Sequence, residues 1–237
     1  MEQTEEPNDN FDMLRNKRLL LEVFLLTLAC GLLSGGLYFY RTNFLELSSF
    51  EDNLFRAVRM TVIYLAIPLT FFLKFRRFDP VDLGITKKNL ILSVLLGTGV
   101  FSIALVIFLS LIGVPEFDRY FMWSQEMENG EFAITMILIA WMAALTDIWT
   151  RGMVLMPVMK LHGVYLALLT QNVVWLAAHL YELEFLRGSM TLLGAVGLTI
   201  TLGILGDLVV IRTKNVIGPA VGHIMLNLVF FSYIRII

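Results

Sequence analysis

The sequence predicts an all-α polytopic transmembrane helix bundle, because of its composition and its long apolar runs. The 237-residue chain is 57% hydrophobic and only 16% charged, whereas a soluble domain of this length carries about 25% charged residues. Runs of about twenty apolar residues are long enough to cross a bilayer as helices. Backbone polar groups in lipid must pair internally, which leaves helices or closed barrels. Because no segment has the pattern of a strand, helices are expected.

Seven to eight spans are expected, since the fourth of seven apolar runs is long enough to include a second, short amphipathic piece. The seven runs are Leu19–Tyr38, Ala57–Leu73, Leu90–Ile112, Phe132–Met159, Val164–Leu180, Met190–Val210 and Val216–Ile236. Residues 15–237 therefore form a single transmembrane domain. Acidic residues crowd the start of the chain with few apolar groups to bury, which predicts a disordered acidic tail over residues 1–14.

The first span carries Gly31 and Gly35, four residues apart. This spacing lets two helix backbones approach closely. Packing within the chain is the favoured interpretation, ahead of a dimer contact.

The distribution of basic residues predicts the orientation. Lysine and arginine are concentrated in loops that remain in the cytoplasm. They occur before the first span, after the second and after the sixth, whereas the loop after the third span is acidic. We therefore expect an integral protein of the cytoplasmic membrane with a cytoplasmic N-terminus. Its surroundings are membrane lipid, and no nucleic-acid partner is expected.

Polar side chains occur within several apolar runs, where such groups are costly and usually functional. They form three pairs, each four residues apart and hence on one helix face. The pairs are Asp147 and Arg151, Trp175 and His179, and His223 and Asn227. Because buried polar groups need partners, the three helices are expected to meet at one pocket lined by Asp147, Arg151, His179, His223 and Asn227.

Depth along the helices tests the shared pocket. Asp147 and His179 come to similar depths if the fourth helix runs unbroken to Met159. His223 comes out closer to the start of its helix, and it fits only if the seventh helix begins deeper in the membrane or is tilted. Asp207 is a further ionisable residue, near the end of the sixth span. We expect it to pair with Arg212, with a place in the pocket as the alternative.

In this order, the motifs resemble those of the CPBP family of intramembrane proteases, which includes CAAX proteases and bacteriocin-processing (Abi) proteins. The family's Glu-Glu-x-x-x-Arg aligns with "TDIWTR" at 146–151, its Phe-x-x-x-His with "WLAAH" at 175–179, and its His-x-x-x-Asn with "HIMLN" at 223–227. The segments "DLGITKKN" and "RTKNVIGPAVGHIMLN" are also similar to family sequences. The resemblance covers roughly residues 80–237.

The resemblance implies a peptidase site. The candidate catalytic residues are Asp147, His179, His223 and Asn227, and the supporting residues are Thr146, Arg151, Trp175 and Asp207. In active members, the first glutamate and the second motif's histidine would activate a water, and the third motif would stabilise the oxyanion. A membrane-bound peptide or protein would be the substrate. No cofactor is firmly implied; a divalent metal such as zinc, on His179 and His223, is an option that needs unusual geometry.

Thr146 departs from the family pattern, because a hydroxyl cannot act as a carboxylate base near neutral pH. Adjacent helix positions point about 100° apart, so Asp147 cannot occupy the place of the side chain at position 146 without a local rearrangement. Its simpler role is to pair with Arg151.

Three functions follow from this departure. The first is an intramembrane endopeptidase whose base is Asp147 or Asp207. The second is an inactive pseudoprotease acting as a membrane scaffold, regulator or bacteriocin-immunity-like factor. The sequence does not decide between these two. The third, a small-solute transporter, is less favoured because the chain shows no inverted repeat.

Overall fold

The computed structural model describes residues 9–112, 123–180, 183, 186 and 189–236, with side chains from residue 18 onward. Its regular elements are all helical, which confirms the predicted class of an all-α bundle in an integral membrane protein. The seven main helices are α1 Asp9–Phe44, α2 Ser49–Phe75, α3 Leu90–Leu109, α4 Asn129–His162, α5 Val164–Ala178, α6 Leu192–Thr213 and α7 Ile217–Ile236.

Within the described residues, six of these helices are long and apolar enough to cross a membrane. The exception is α5, whose 15 residues rise only about 22 Å. It ends at Ala178 because His179 leaves the helical conformation, with φ −108° and ψ 19°. The fifth span is therefore shorter than predicted. α4 is unbroken from Asn129 to His162, as a shared depth for Asp147 and His179 requires, and it contributes no eighth span.

α1 begins earlier than the sequence predicted. Its first residue is Asp9, which corrects the prediction of a disordered tail for residues 9–14. Acidic residues are favourable in the first turn of a helix, where the macrodipole is positive, and this effect competes with the tendency to disorder. Residues 1–8, the rest of the predicted tail, lie outside the described part of the chain.

A hydrogen-bonded clamp holds the end of the bundle where α3 and α7 begin. The buried Asn215, between α6 and α7, donates through Nδ2 to the carbonyl oxygens of Thr86 at 2.7 Å and Lys88 at 2.9 Å. The N–H of Val216 donates to the carbonyl oxygen of Gly84 at 3.0 Å. The acceptors of these bonds lie in the stretch "DLGITKKN", and the donors lie in the stretch "RTKNVIGP". These stretches therefore bind each other and fix the starting points of two helices.

Beyond this clamp, α3 and α7 are in direct backbone contact. A Cβ added to Gly97 on α3 would overlap the carbonyl group of Gly218 on α7, and one added to Gly222 would overlap Gly97. Small residues allow such close approach between membrane helices. One turn farther along, the contact brings Phe101 onto His223, with ring centroids 4.9 Å apart and planes at 8°.

The glycines of α1 behave differently. A Cβ added to Gly31 or Gly35 would meet nothing within 4 Å among the described residues. The packing within the chain that was predicted for this pair is therefore not formed there. Spacing alone does not say which face of a helix meets a neighbour.

The contact between α3 and α7 predicts different Tm values for two glycine-to-alanine variants of α3. Gly97→Ala forces a methyl group into the Gly218 carbonyl, and such overpacking costs about 1–3 kcal/mol. The Tm in detergent should fall by roughly 2–10 °C. Gly99→Ala, on the same helix but facing open space, is the control and should not lower the Tm. Equal Tm values for the two variants would contradict the close contact.

Candidate active site

A central cavity of about 380 Å³ lies between the helices. Five of the predicted site residues line its wall: Thr146, Trp175, His179, His223 and Asn227. The remaining three are Asp147, Arg151 and Asp207, which are fully buried and lie behind that wall. The prediction that Asp147 and Arg151 line the pocket is therefore corrected.

The neighbours Thr146 and Asp147 face different environments. Thr146 is 8% exposed and borders the cavity, and its hydroxyl donates to the carbonyl oxygen of Met142 at 3.0 Å. Since successive helical residues point about 100° apart, Asp147 turns away from the cavity. Directly after it, α4 adopts π-helical geometry over Ile148–Leu155, a distortion that is frequent at functional sites.

Arg151 occupies the centre of a buried charge cluster, which we call the arginine cluster (Asp147, Arg151 and Asp207). Its Nη1 contacts Asp147 Oδ1, its Nε lies 3.1 Å from Asp207 Oδ1, and its Nη2 donates to the carbonyl oxygen of Gly203 at 3.0 Å. The guanidinium Cζ also lies 4.3 Å from the ring centroid of Trp175, a favourable cation–π distance. One side chain thus connects α4, α5 and α6.

Asp207 pairs with Arg151, not with Arg212 as the sequence predicted. Five residues separate Asp207 from Arg212, which puts them on different faces of α6, and Arg212 is exposed. The second oxygen of Asp207, Oδ2, accepts from Asn172 Nδ2 at 3.0 Å. A Cβ at Gly206 would overlap the guanidinium group of Arg151. The absence of a side chain at 206 therefore makes room for the ion pair.

His223 connects the arginine cluster to the cavity. Its Nδ1 lies 2.8 Å from Asp147 Oδ2, while Phe101 stacks on the face of the ring. A carboxylate and an aromatic ring therefore fix the imidazole in place. Because Nδ1 is engaged by Asp147, Nε2 is the nitrogen left for chemistry in the cavity. Asn227, one helical turn farther along α7, lies on the same wall.

His179 is held by the residue one turn before it. Its Nδ1 lies 2.8 Å from the carbonyl oxygen of Trp175, and the two ring centroids are 4.0 Å apart. The Trp175 indole donates to the carbonyl oxygen of Thr199 at 3.0 Å, a bond that the family's phenylalanine could not make. The ring centroids of His179 and His223 are 6.2 Å apart. Both histidines therefore border the same part of the cavity.

The described residues do not fit a zinc ion. Within them, no group of three His, Cys, Asp or Glu side chains could hold a metal. Zinc sites use three or four protein ligands at about 2.0–2.3 Å. Here Nδ1 of His179 and Nδ1 of His223 each contact a protein oxygen, so neither of these two nitrogens is placed to bind a metal.

The charges of the cluster do not balance when every group has its usual ionisation. Two carboxylates, Asp147 and Asp207, surround one guanidinium, and all three side chains are fully buried. An uncompensated charge is costly away from water. His223 contacts Asp147 through Nδ1 and lies where this cluster meets the cavity.

Four further residues shape the site without having been predicted: Phe101, Thr199, Gly203 and Gly206. The two glycines could have been noticed as small residues just before Asp207 on α6, since small residues permit close helix approach. Phe101 and the carbonyl of Thr199 had no such signal. Their contacts depend on how the helices are rotated against one another.

Residues of the three motifs, on α4, α5 and α7, line or support one cavity between apolar helices. Residues 128–229 match the family model described as Type II CAAX prenyl endopeptidase Rce1-like. All three motifs lie inside this segment, so the resemblance to the family of CAAX-type intramembrane proteases is confirmed. No curated protein and no solved structure matches the chain.

The arginine cluster predicts that Arg151 is essential for stability. Arg151→Gln would leave two buried carboxylates without their cation, and breaking a buried pair costs about 3–5 kcal/mol. We expect a large fall in the Tm in detergent, or loss of folded protein from the membrane. Arg18→Gln, which removes a pair with Glu22 from an exposed position, is the control and should leave the Tm nearly unchanged. A similar Tm for both variants would contradict the central role of Arg151.

Proposed function

We propose that this protein is a CAAX-protease-like membrane protein whose cavity binds a peptide segment without efficient hydrolysis. The observation that carries the proposal is the position of Thr146. It borders the cavity next to the histidines, at the place in the motif where the family has its leading glutamate. Such a protein would act as a membrane scaffold, a regulator or an immunity-like factor.

The positions of the carboxylates among the described residues support this proposal. Hydrolysis by this type of site needs a base that takes a proton from the attacking water. Asp147 and Asp207 lie behind the wall and contact Arg151. Asp52 is the only carboxylate among the described residues that line the cavity, and it pairs with Arg41 at 2.6 Å, in the part of the cavity lined by the start of α2.

The features needed for binding are retained. His223 and Asn227 offer polar atoms on the cavity wall for a peptide carbonyl or amide, and neighbours fix the rings of His179 and His223. Most of the remaining wall is apolar or aromatic. Ligand sites in proteins commonly combine such a wall with a few fixed polar groups. The arrangement therefore suits recognition of a peptide more than its cleavage.

One observation favours a second candidate, a working endopeptidase. The 2.8 Å contact between Asp147 and His223 is of the kind that orients a histidine base in hydrolases. In this alternative, His223 takes a proton from water as the water oxygen attacks the peptide carbonyl carbon. The proton then passes to the departing amine. Asp147 would act through His223 and not as the base itself.

An assay at position 146 separates the two functions. Purified protein in nanodiscs is incubated with a peptide library, and products are measured by mass spectrometry. We expect little cleavage by the unmodified protein and a gain of about 100-fold or more for Thr146→Glu, the scale of general-base catalysis. Thr146→Gln, of similar size but without a carboxylate, is the control and should show no gain.

The same assay can overturn the proposal. Strong cleavage by the unmodified protein that disappears in His179→Ala and His223→Ala would establish the endopeptidase instead. Peptide binding to the unmodified protein is measured in parallel and should persist where cleavage is weak.

A further inference from the structure

Arg59 is a charged side chain within the membrane-spanning part of α2. Near the two ends of this span lie Asp52, which pairs with Arg41 at 2.6 Å, and Lys74. From Asp52 to Lys74 the helix rises about 33 Å, which matches a hydrocarbon layer about 30 Å thick. Arg59 lies about two turns beyond Asp52 and hence about 10 Å inside that layer. A cation at such a depth is costly and usually functional.

The guanidinium of Arg59 faces α1. Its Nη1 donates to the carbonyl oxygen of Ser34 at 3.3 Å, and its Cζ lies 5.8 Å from the ring centroid of Tyr38. Arg56, about one turn earlier, lines the central cavity, whereas Arg59 is not part of the cavity wall. A ligand of the cavity therefore does not account for Arg59.

The charge of Arg59 is poorly compensated. Within the described part of the chain, no carboxylate lies within ion-pair distance of Arg59, and its buried Nε has no hydrogen-bond partner there. A guanidinium has five N–H donors, and arginines within membranes usually pair with an acid. Arg151, by contrast, contacts two carboxylates. The site around Arg59 therefore lacks an anion.

The face of α1 beside Arg59 consists largely of small residues. Gly31, Ser34, Gly35 and Tyr38 follow the i, i+3, i+4, i+7 spacing of one helix face. Ser34 is buried, but a Cβ on Gly31 or Gly35 would meet no described residue within 4 Å. Small residues let a second helix backbone approach closely. The guanidinium thus lies at the edge of a shallow groove between α1 and α2 that fits a helix.

The depth of Arg59 favours a protein carboxylate over a lipid phosphate. The Ser34 carbonyl, to which the guanidinium donates, lies about 15 Å before the end of α1 at Phe44. Lipid phosphates lie outside the hydrocarbon layer, so a phosphate would have to sink toward the middle of the membrane to reach this position. A side chain of a transmembrane helix can lie at any depth.

A second copy of this chain does not offer the carboxylate among its described residues. Asp147 and Asp207, which lie within the spans, are fully buried. Glu22 lies toward the opposite end of the bundle, where it pairs with Arg76 at 3.0 Å. The anion that complements Arg59 therefore belongs to a different protein.

We propose that the groove between α1 and α2 binds a transmembrane helix of another protein, and that an aspartate or glutamate of that helix pairs with Arg59. The partner helix carries its acid about 10 Å inside the membrane, measured from the end at which α2 begins, and it packs against Gly31 and Gly35. An acid alone in an apolar helix is costly for the same reason as Arg59, so the pairing stabilises both. The proposal does not depend on what the central cavity binds.

A model helix tests the charge pair. The protein, in phosphatidylcholine vesicles, carries a fluorescent donor at Glu46→Cys in the exposed loop between α1 and α2, on a Cys30→Ala background. The probe is a synthetic leucine–alanine transmembrane peptide with an acceptor dye at one end and one glutamate about two turns from that end. Energy transfer measures its association. We expect this peptide to associate about tenfold more strongly than the same peptide with glutamine.

Variants of the two arginines separate the charge pair from general effects. Arg59→Gln should abolish the preference for the glutamate peptide, and Arg59→Lys, which keeps the charge, should retain most of it. Arg56→Gln removes the same charge from the cavity wall, and this matched control should keep the full preference. Equal association of the two peptides with the unmodified protein, or a preference that survives in Arg59→Gln, would overturn the proposal.

A substitution on α1 tests the location of the groove. Gly35→Leu fills the open face of the helix, so association of the glutamate peptide should fall about fivefold or more. The Tm should not fall, because no described residue lies within 4 Å of a Cβ at this position. Gly99→Leu, equally open on α3, is the control and should bind the peptide normally. Unchanged association in Gly35→Leu would exclude this groove.

A change of lipid tests the alternative anion. In vesicles of phosphatidylglycerol, the unmodified protein should still prefer the glutamate peptide, because the lipid phosphates remain at the membrane surface. Loss of the preference in this lipid would mean that a phosphate occupies Arg59, and the assignment of a helix carboxylate would be wrong. Peptide cleavage is not measured in any of these experiments, so their outcomes are independent of the Thr146→Glu assay.

Discussion

The arrangement of the site depends on the ion pairs that the buried guanidinium of Arg151 forms with two aspartates. The guanidinium lies between Asp147 on its own helix and Asp207 on α6, and it packs against Trp175 on α5. A cation in such a place is tolerated only with well-placed counter-charges and hydrogen bonds. Three helices are thereby fixed at defined depths and rotations. Through Asp147, the same interaction also positions His223, the residue of α7 that faces the cavity.

This arrangement separates the residues that hold the site together from those that would carry out its chemistry. In the first motif, Asp147 and Arg151 belong to the buried cluster, whereas Thr146 belongs to the cavity wall. The angle of about 100° between neighbours on a helix produces this division. A change at position 146 therefore leaves the ion pairs intact. A protein can keep the family's helix packing and the two histidines while lacking the glutamate.

Sequence patterns predicted the features that depend on a single helix. The four-residue spacing of Asp147 and Arg151 gave their contact, and the apolar runs gave the helical class. The patterns failed where the rotation of one helix against another decides the outcome. The partner of Asp207, the stacking of Phe101 on His223 and the location of the glycine contact all depend on such rotations. Helix geometry predicts that Thr146 and Asp147 point in different directions. It does not predict which of the two faces the cavity.

The shortness of α5 has a consequence for the surrounding bilayer. A helix rising about 22 Å falls roughly 8 Å short of a hydrocarbon layer about 30 Å thick. Backbone that ends within lipid is tolerated only beside water or protein. Here protein supplies partners: the His179 N–H donates to the carbonyl oxygens of Trp175 and Leu176, and the Leu183 N–H donates to that of His179. A thinner hydrocarbon layer would narrow the mismatch, so the acyl-chain length of the lipid bears on the depth of the histidine end of the cavity.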